Sequence, residues 1–268
     1  MRNWHNNSGK PLASDDWLEA HHYAKLPERT AFAQQIAAHS PRRIVDLGCG
    51  TGLWLELCAE AVDAECELIG IDLDPECLQK AKKRLQRYSN PKQFLTVDIE
   101  NNAAALPDAD IYLAFNIFPY ISDLPALLRA LRRKILPGGS LVVRQYDGAL
   151  LRVGPMDNKD RQIIDTSLMA ALAGSEQFKH YDLDRVFETL RKAEFFECQN
   201  IDFETFRRVS PYPEEFKDYF LNTMNWTSRY VSEDAAERLI SWMENKTDGA
   251  SQGSPSYFVE VDLIAWLS

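Results

Sequence analysis

For more than a hundred residues from Arg42, strand-length apolar runs alternate with segments of helical spacing. The runs are "RRIVDLG" (42–48), "ELIGID" (67–72), "QFLTVD" (93–98), "ADIYLAFN" (109–116) and "SLVVRQYD" (140–147). They are short, and most are apolar on successive positions, as strands covered on both faces must be. Between them lie "LWLELCAEAV", "PECLQKAKKRLQRY" with proline in its first turn, and "DLPALLRALRRKI", which stops at "LPGG". Parallel neighbours need a crossover, and a helix is the usual one. The pattern therefore predicts an α/β fold built on a doubly wound, mostly parallel sheet.

Outside that stretch the alternation loosens. Residues 15–38 read as one or two amphipathic helices broken near Pro27. Residues 160–174 and 182–195 have helical spacing, 196–209 is strand-length, and 211–246 reads as two helices. "SYFVEVDLIAWLS" closes the chain as a strand, and its acids at 260 and 262 predict a wet face on an outer strand. No Ser/Gly/Pro linker separates domains, and 246–256 reads as a loop into the last strand.

Charge and cysteine usage narrow the function. The net charge is −10 over 268 residues, which argues against a nucleic-acid partner because phosphates demand a basic surface. The basic run "KKRLQRY" (82–88) falls at a predicted helix C-terminus, where cations complement the dipole. Five cysteines without a CxxC pair predict reduced thiols in a cytoplasmic protein, with neither a disulfide framework nor a metal site. No 18-residue apolar run predicts a membrane span, and the polar first residues do not read as a secretory signal.

The loop in "IVDLGCGTGLW" (44–54) follows the first strand and opens a helix, the place where a ligand approaches backbone. A phosphate-cradling P-loop would need a lysine after the last glycine, and none follows Gly52. A dinucleotide loop would need a third glycine where Leu53 stands. The remaining class is a ligand without phosphate that uses the aspartate.

The D-x-G-x-G-x-G run resembles motif I of the class I S-adenosylmethionine (SAM) dependent methyltransferases, and the likeness continues along the strands. Asp72 in "IGIDLDPECL" stands where that family holds the ribose hydroxyls, with Leu73 beside it. Asp98 and Ile99 in "FLTVDIE" stand where it meets and covers the adenine. The run from "ADIYLAFN" through "PGG" to "SLVV" follows the family's fourth strand, helix, turn and fifth strand. The resemblance implies SAM as cofactor, bound by Asp46, Gly48, Cys49, Gly50, Asp72, Leu73, Asp98, Ile99 and Asn116. It implies a seven-stranded sheet with the last strand antiparallel, N-terminal helices and a helical lid. The expected boundaries are a cap over 1–39, the SAM-binding core over 40–147 and a cap insertion over 148–181. A core helix and strand over 182–206, a lid insertion over 207–255 and the final strand over 256–268 complete the chain.

Each matched residue type has a physical reason. A carboxylate accepts both hydroxyls of a ribose, glycines admit the ligand to backbone amides, and Asp46 suits an ammonium. Arg29 precedes motif I at a spacing from which related enzymes reach the cofactor carboxylate, as does Tyr23. Asn116, Tyr120, Tyr146 and Tyr23 are the candidate catalytic residues, and His21, His22 and His180 the candidate bases. "NIFPY" (116–120) departs from the Asn/Asp-Pro-Pro-Tyr/Phe run of enzymes that methylate exocyclic amines or amides. Aromatics in the cap, among them Trp17, Tyr181, Tyr219 and Trp226, suit an enclosed small molecule with an oxygen or nitrogen nucleophile, as in secondary metabolism. Two alternatives share the site: a cyclase that turns the SAM amino group inward and releases methylthioadenosine, and a non-catalytic SAM-binding partner. The oligomeric state stays open.

Overall fold

The computed structural model describes residues 15–146, 152–174, 183–247 and 255–268. Its helices begin where local chemistry favours them. Asp74 caps α4 (Pro75–Arg84), its Oδ1 accepting from Glu76 N at 2.8 Å, and Asp123 caps α5 (Leu124–Arg132) by accepting from Ala126 N at 2.9 Å. Lys82, Lys83 and Arg84 fill the last turn of α4, opposite its N-terminal cap. The N-terminal pair, α1 (Asp15–Ala24) and α2 (Leu26–Ala37), meets at Lys25 with Pro27 in the first turn of α2. The remaining helices are α3 (Leu53–Ala61), α6 (Asn158–Gly174), α7 (Leu183–Arg191), α8 (Glu214–Ser228) and α9 (Glu233–Thr247).

One sheet runs through the molecule. Strands β1 (Arg43–Leu47), β2 (Glu67–Asp72), β3 (Lys92–Thr96), β4 (Ala109–Phe115) and β5 (Ile135–Tyr146) pair in parallel in the order β3-β2-β1-β4-β5. β8 (Tyr257–Leu267) then runs antiparallel to β5, with β7 (Gln199–Val209) antiparallel along its other side. A short strand not foreseen in the sequence, β6 (Arg152–Gly154), pairs with the first residues of β8, so the sheet has eight strands where seven were expected. Helices α5 and α7 cover one face through Leu127, Leu128, Leu131, Val186 and Leu190. Helices α2, α3 and α4 cover the other through Phe32, Ile36, Leu55, Cys58 and Leu78. Beyond the carboxyl ends of the parallel strands, α1, α6, α8 and α9 share a third core with β6, β7 and β8, centred on Phe206, Phe216, Phe220 and Phe258.

The last strand overturns one expectation. Glu260 and Asp262 do not mark a wet outer face, because β8 lies between β5 and β7 and the two acids are 3% and 4% exposed. Lys25, 1% exposed, donates to Glu260 Oε1 at 2.5 Å and to Asp262 Oδ2 at 2.9 Å. Arg144 on β5 donates to Asp262 Oδ2 through Nε at 2.8 Å and to Glu204 on β7. Tyr219 on α8 donates its hydroxyl to Glu260. Burial alone would raise both carboxyl pKa values, but Lys25, with His21 at Glu260 and Arg144 at Asp262, holds them below the usual carboxylate range. Alternation that looks amphipathic in sequence is here a buried ionic seam joining α1, α8, β5, β7 and β8.

Removing one member of such a seam leaves uncompensated charge inside the protein. Lys25→Met is expected to lower the unfolding free energy by about 3–5 kcal/mol, read from urea midpoints by circular dichroism.

Candidate active site

The glycine loop leaves β1 at Leu47 and enters α3 at Leu53. Gly48 and Gly50 have φ of 66° and 51°, a region in which a side chain is strained. A Cβ on Gly48 would stand 2.6 Å from Ile117 Cγ2, whereas Gly50 faces open space with nothing within 4 Å. Cys49 donates its N–H to Ile71 O at 2.9 Å and packs its sulfur where a Cβ on Gly70 of β2 would stand, 2.9 Å away. Burial pushes its thiol up, so Cys49 presents backbone to the site and no nucleophile. Gly70, not a glycine in place of Leu53, thus makes the close loop-to-sheet approach.

Three acids stand at the ends of β1, β2 and β3 in different states. Asp72 Oδ2 accepts from Gly50 N at 2.8 Å and Oδ1 from Asp74 N at 2.9 Å, which ties the second strand to the loop. Burial raises its pKa against those two hydrogen bonds. Asp46 is 3% exposed and, among the described residues, accepts no hydrogen bond and meets no cation. Burial, then the charge of Asp72, raises its pKa well above the ordinary value. Asp98 folds into its own turn, taking Asn101 Nδ2 at 2.8 Å and the N–H groups of Glu100 and Asn101, both at 3.1 Å. The Asn101 amide is the main cause of its lowered pKa. Ile99 packs on the core beneath this turn, and Leu73 is exposed.

At the end of β4, Asn116 takes a left-handed φ of 57°. Its N–H donates to Arg144 O at 2.8 Å and its Oδ1 accepts from Tyr146 N at 2.7 Å, which assigns the amide orientation. Nδ2 has no protein partner among the described residues. Asn116 therefore staples the carboxyl ends of β4 and β5 while keeping two donors free. Tyr146 stands beside Trp17 and His21 of α1, with ring centroids 6.5 and 5.7 Å away. Tyr120 lies instead toward Asp72, where burial and then the charge of Asp72 raise its pKa, although the residue as a whole is 36% exposed.

Arg29 is 6% exposed, rests on Trp54 of α3 with its guanidinium carbon 5.1 Å from the ring centroid, and has no carboxylate in contact. Its Nη1 donates to His22 Nδ1 at 3.0 Å and its Nη2 to His21 Nδ1 at 3.2 Å, while Nε is unpartnered. A guanidinium only donates, so both Nδ1 atoms are acceptors and both rings are neutral with hydrogen on Nε2. His21 spends that hydrogen on Glu260 Oε1 at 3.3 Å and stacks on Tyr219 with centroids 4.7 Å apart. Burial first, then Arg29, depresses the two pKa values to about 4 and about 3. The histidines read from sequence as candidate bases are therefore held neutral with their basic nitrogens occupied. Tyr23 lies on the opposite side of α1, 47% exposed, with its ring against His22. His180 and Tyr181 lie outside the described residues. The seam of Lys25, Arg144, Tyr219, Glu260 and Asp262 went unread in sequence; the pair of acids in a strand otherwise apolar was its one visible signal. Among the described residues no cluster of three or more ligating side chains suits a metal ion, and no helix is long and apolar enough to cross a membrane.

Comparison with known proteins agrees with this geometry. Residues 44–139 match the family model of a methyltransferase domain. The chain is 31% identical over 137 residues to a trans-aconitate 2-methyltransferase of Rhodopseudomonas palustris, covering 49% of this chain and 51% of the relative. It is 30% identical over 112 residues to a carboxy-S-adenosyl-L-methionine synthase of Trichodesmium erythraeum, covering 41% and 44%. The chain thus spans about half the length of the curated relatives it matches. The solved YcgJ protein of Bacillus subtilis superposes with a TM-score of 0.51 at 16% identity, covering 90% of this chain and 98% of that one. A phosphoethanolamine N-methyltransferase of Haemonchus contortus, solved with S-adenosylhomocysteine, gives 0.51 at 16%, covering 93% and 56%. At such identities the likeness is one of fold. Residues 44–139 thus resemble a methyltransferase domain, and the fold around them is the one that methyltransferases share.

Two outcomes follow from the buried groups. Asp46→Asn removes an unpaired buried charge, so it is expected to raise the unfolding free energy by about 1 kcal/mol or more while weakening S-adenosylhomocysteine binding about tenfold or more, read by urea melts and calorimetry. The histidine pKa values lie below the 6.5 of an unfolded chain, so the unfolded state takes protons first and stability falls as pH drops from 6.5 toward 4. The loss is about 2 kcal/mol per histidine by pH 5, opposed by Asp46, whose raised pKa acts in the other direction. In His22→Asn the slope of stability between pH 6.5 and 5 should be visibly shallower than in the parent.

Proposed function

We propose that this chain is a methyltransferase that uses SAM to methylate an oxygen or nitrogen nucleophile of a small organic acceptor. The observation that carries the proposal is Asp46, a buried carboxylate without a partner beside an open glycine cradle. Such a group favours a cationic ligand, and SAM carries both an ammonium and a sulfonium. The rest of the donor set fits the same molecule. Asp72 is a carboxylate at a strand end that suits a pair of ribose hydroxyls, and Asp98 Oδ2 accepts only Asn101 Nδ2. Gly48, Cys49 and Gly50 offer backbone, Leu73 and Ile99 offer apolar cover, and Arg29 is a buried cation without a counter-carboxylate.

Bound there, the cofactor supplies a methyl group on positively charged sulfur. The protein's part is then alignment and exclusion of water. Asn116, with Nδ2 free, and Tyr146 stand at the carboxyl ends of β4 and β5, suited to orient an acceptor. Tyr120 and Tyr23 are further candidates for the rim. His21 and His22 have no basic nitrogen to give, which favours an acceptor whose nucleophile is already unprotonated at neutral pH, such as a carboxylate. The trans-aconitate methyltransferases among the relatives carry the same suggestion.

Calorimetry with S-adenosylhomocysteine and mass spectrometry of the products test this reading. The parent protein should bind, Asp72→Ala and Gly50→Arg should bind about a hundredfold more weakly or not at all with unchanged circular dichroism, and acceptors should drive formation of S-adenosylhomocysteine. Methylthioadenosine formed from SAM alone would identify the cyclase instead, and a parent that does not bind would sink both enzymatic readings.

A further inference from the structure

Arg84, the last residue of α4, reaches across to three other parts of the molecule. Its Nε donates to the carbonyl of Thr51 inside the glycine loop at 3.0 Å. Nη1 donates to Glu56 Oε2 on α3 at 3.1 Å, and Nη2 to Glu19 Oε1 on α1 at 2.7 Å. Partial burial works to lower its pKa, and Glu56, Tyr23 and Glu19 more than offset it. The three acceptors lie in three directions, which a planar guanidinium serves and a lysine ammonium does not.

The peptide it grips closes the loop. The carbonyl of Thr51 is held by Arg84, and the N–H of the same peptide plane, on Gly52, donates to Cys49 O at 2.9 Å. On the far side of the loop, Asp72 holds the Gly50 N–H. The loop shape is thus fixed from two sides, by an acid already assigned to the cofactor and by a cation that faces away from it. The α1 end of the bridge also matters. Trp17, two residues before Glu19, packs beside Tyr146 at the acceptor side, and His21 and Lys25 bind the seam on β8.

We propose that Arg84 is a positioning residue that couples the cofactor loop to α1, so that filling the cofactor site orders the wall of the acceptor site. The coupling is reciprocal: whatever loosens α1 weakens cofactor binding by the same factor that cofactor binding steadies α1. On α1 it operates through Glu19, which bonds neither the loop nor the seam, with Tyr23 as a second α1 partner of Arg84. The inference rests on the SAM reading above.

Hydrogen exchange of the full chain with and without S-adenosylhomocysteine, alongside calorimetry, tests it in the parent, Arg84→Lys and Glu19→Gln. In the parent, S-adenosylhomocysteine should slow exchange of the α1 amides as well as those of the loop. Arg84→Lys should weaken binding roughly 5- to 10-fold and Glu19→Gln about threefold. Protection of α1 should be lost in Arg84→Lys and reduced in Glu19→Gln, where Tyr23 still meets Arg84, while that of the loop persists in both. Glu19 is a surface side chain, so its variant keeps the test alive if Arg84→Lys folds poorly. Parent-like affinity in Glu19→Gln, or α1 protection undiminished in it, overturns the coupling and leaves the SAM reading intact. A parent that does not bind S-adenosylhomocysteine overturns both.

Discussion

Two carboxylates on a strand inside the sheet have to be neutralised where they stand, and much of the architecture follows from that. Desolvating a carboxylate costs several kcal/mol, so each needs cations and donors at fixed positions. Glu260 and Asp262 draw theirs from three elements: Lys25 and His21 at the end of α1, Arg144 on β5 and Tyr219 on α8. A seam of oil would tolerate α1 in several registers, because apolar contact is not directional. Hydrogen-bonded ions at 2.5 to 3.3 Å set one register. The cap and the sheet are therefore locked to each other by the same residues that make β8 look amphipathic.

Around the cofactor loop the electrostatics are deliberately unfinished. Asp46 is buried without a cation, and Arg29 is buried without a carboxylate, its pKa drawn down by burial to about 10. A fold selected only for stability would bring such groups together or exchange them for apolar residues. Here they stay apart, Asp46 at the end of β1 and Arg29 on Trp54 of α3. A zwitterionic ligand that offers an ammonium to one and a carboxylate to the other completes both. The two histidines show the opposite treatment. Their lone pairs are spent on Arg29, which removes them as bases and at the same time supplies the guanidinium with acceptors that carry no charge.

The parallel core was legible because each of its determinants is local. "IVDLGCGTGLW" contains the strand, the positive-φ glycines and the helix start within eleven residues, and Asp74 and Asp123 cap helices that begin at the next residue. Asp72 was legible as a site acid because it ends a strand; its second task, holding the Gly50 N–H, joins residues 22 apart and leaves no mark in either segment. The seam was illegible for the same reason. Lys25 and Glu260 are 235 residues apart, and hydropathy alternation around 260 and 262 is identical for a wet face and for a buried ion pair. The strand at Arg152–Gly154 is three residues long and exists only because β8 extends past the end of β5 to pair with it.

This division between local and distant determinants also separates cofactor from acceptor. The loop and the acids at 46, 72 and 98 all fall within residues 44–139, the span that matches the methyltransferase domain model, and the curated relatives align over about half of the chain. Trp17, His21, Tyr146 and Tyr219 all fall outside that span, on α1, the end of β5 and α8. They reach the same sheet edge only through β8 and the seam. A chain built this way can keep its cofactor half fixed while the acceptor half changes, provided that each change preserves the partners of Glu260 and Asp262. Under the proposed function, specificity for the acceptor falls to residues whose first obligation is to the folding of the cap.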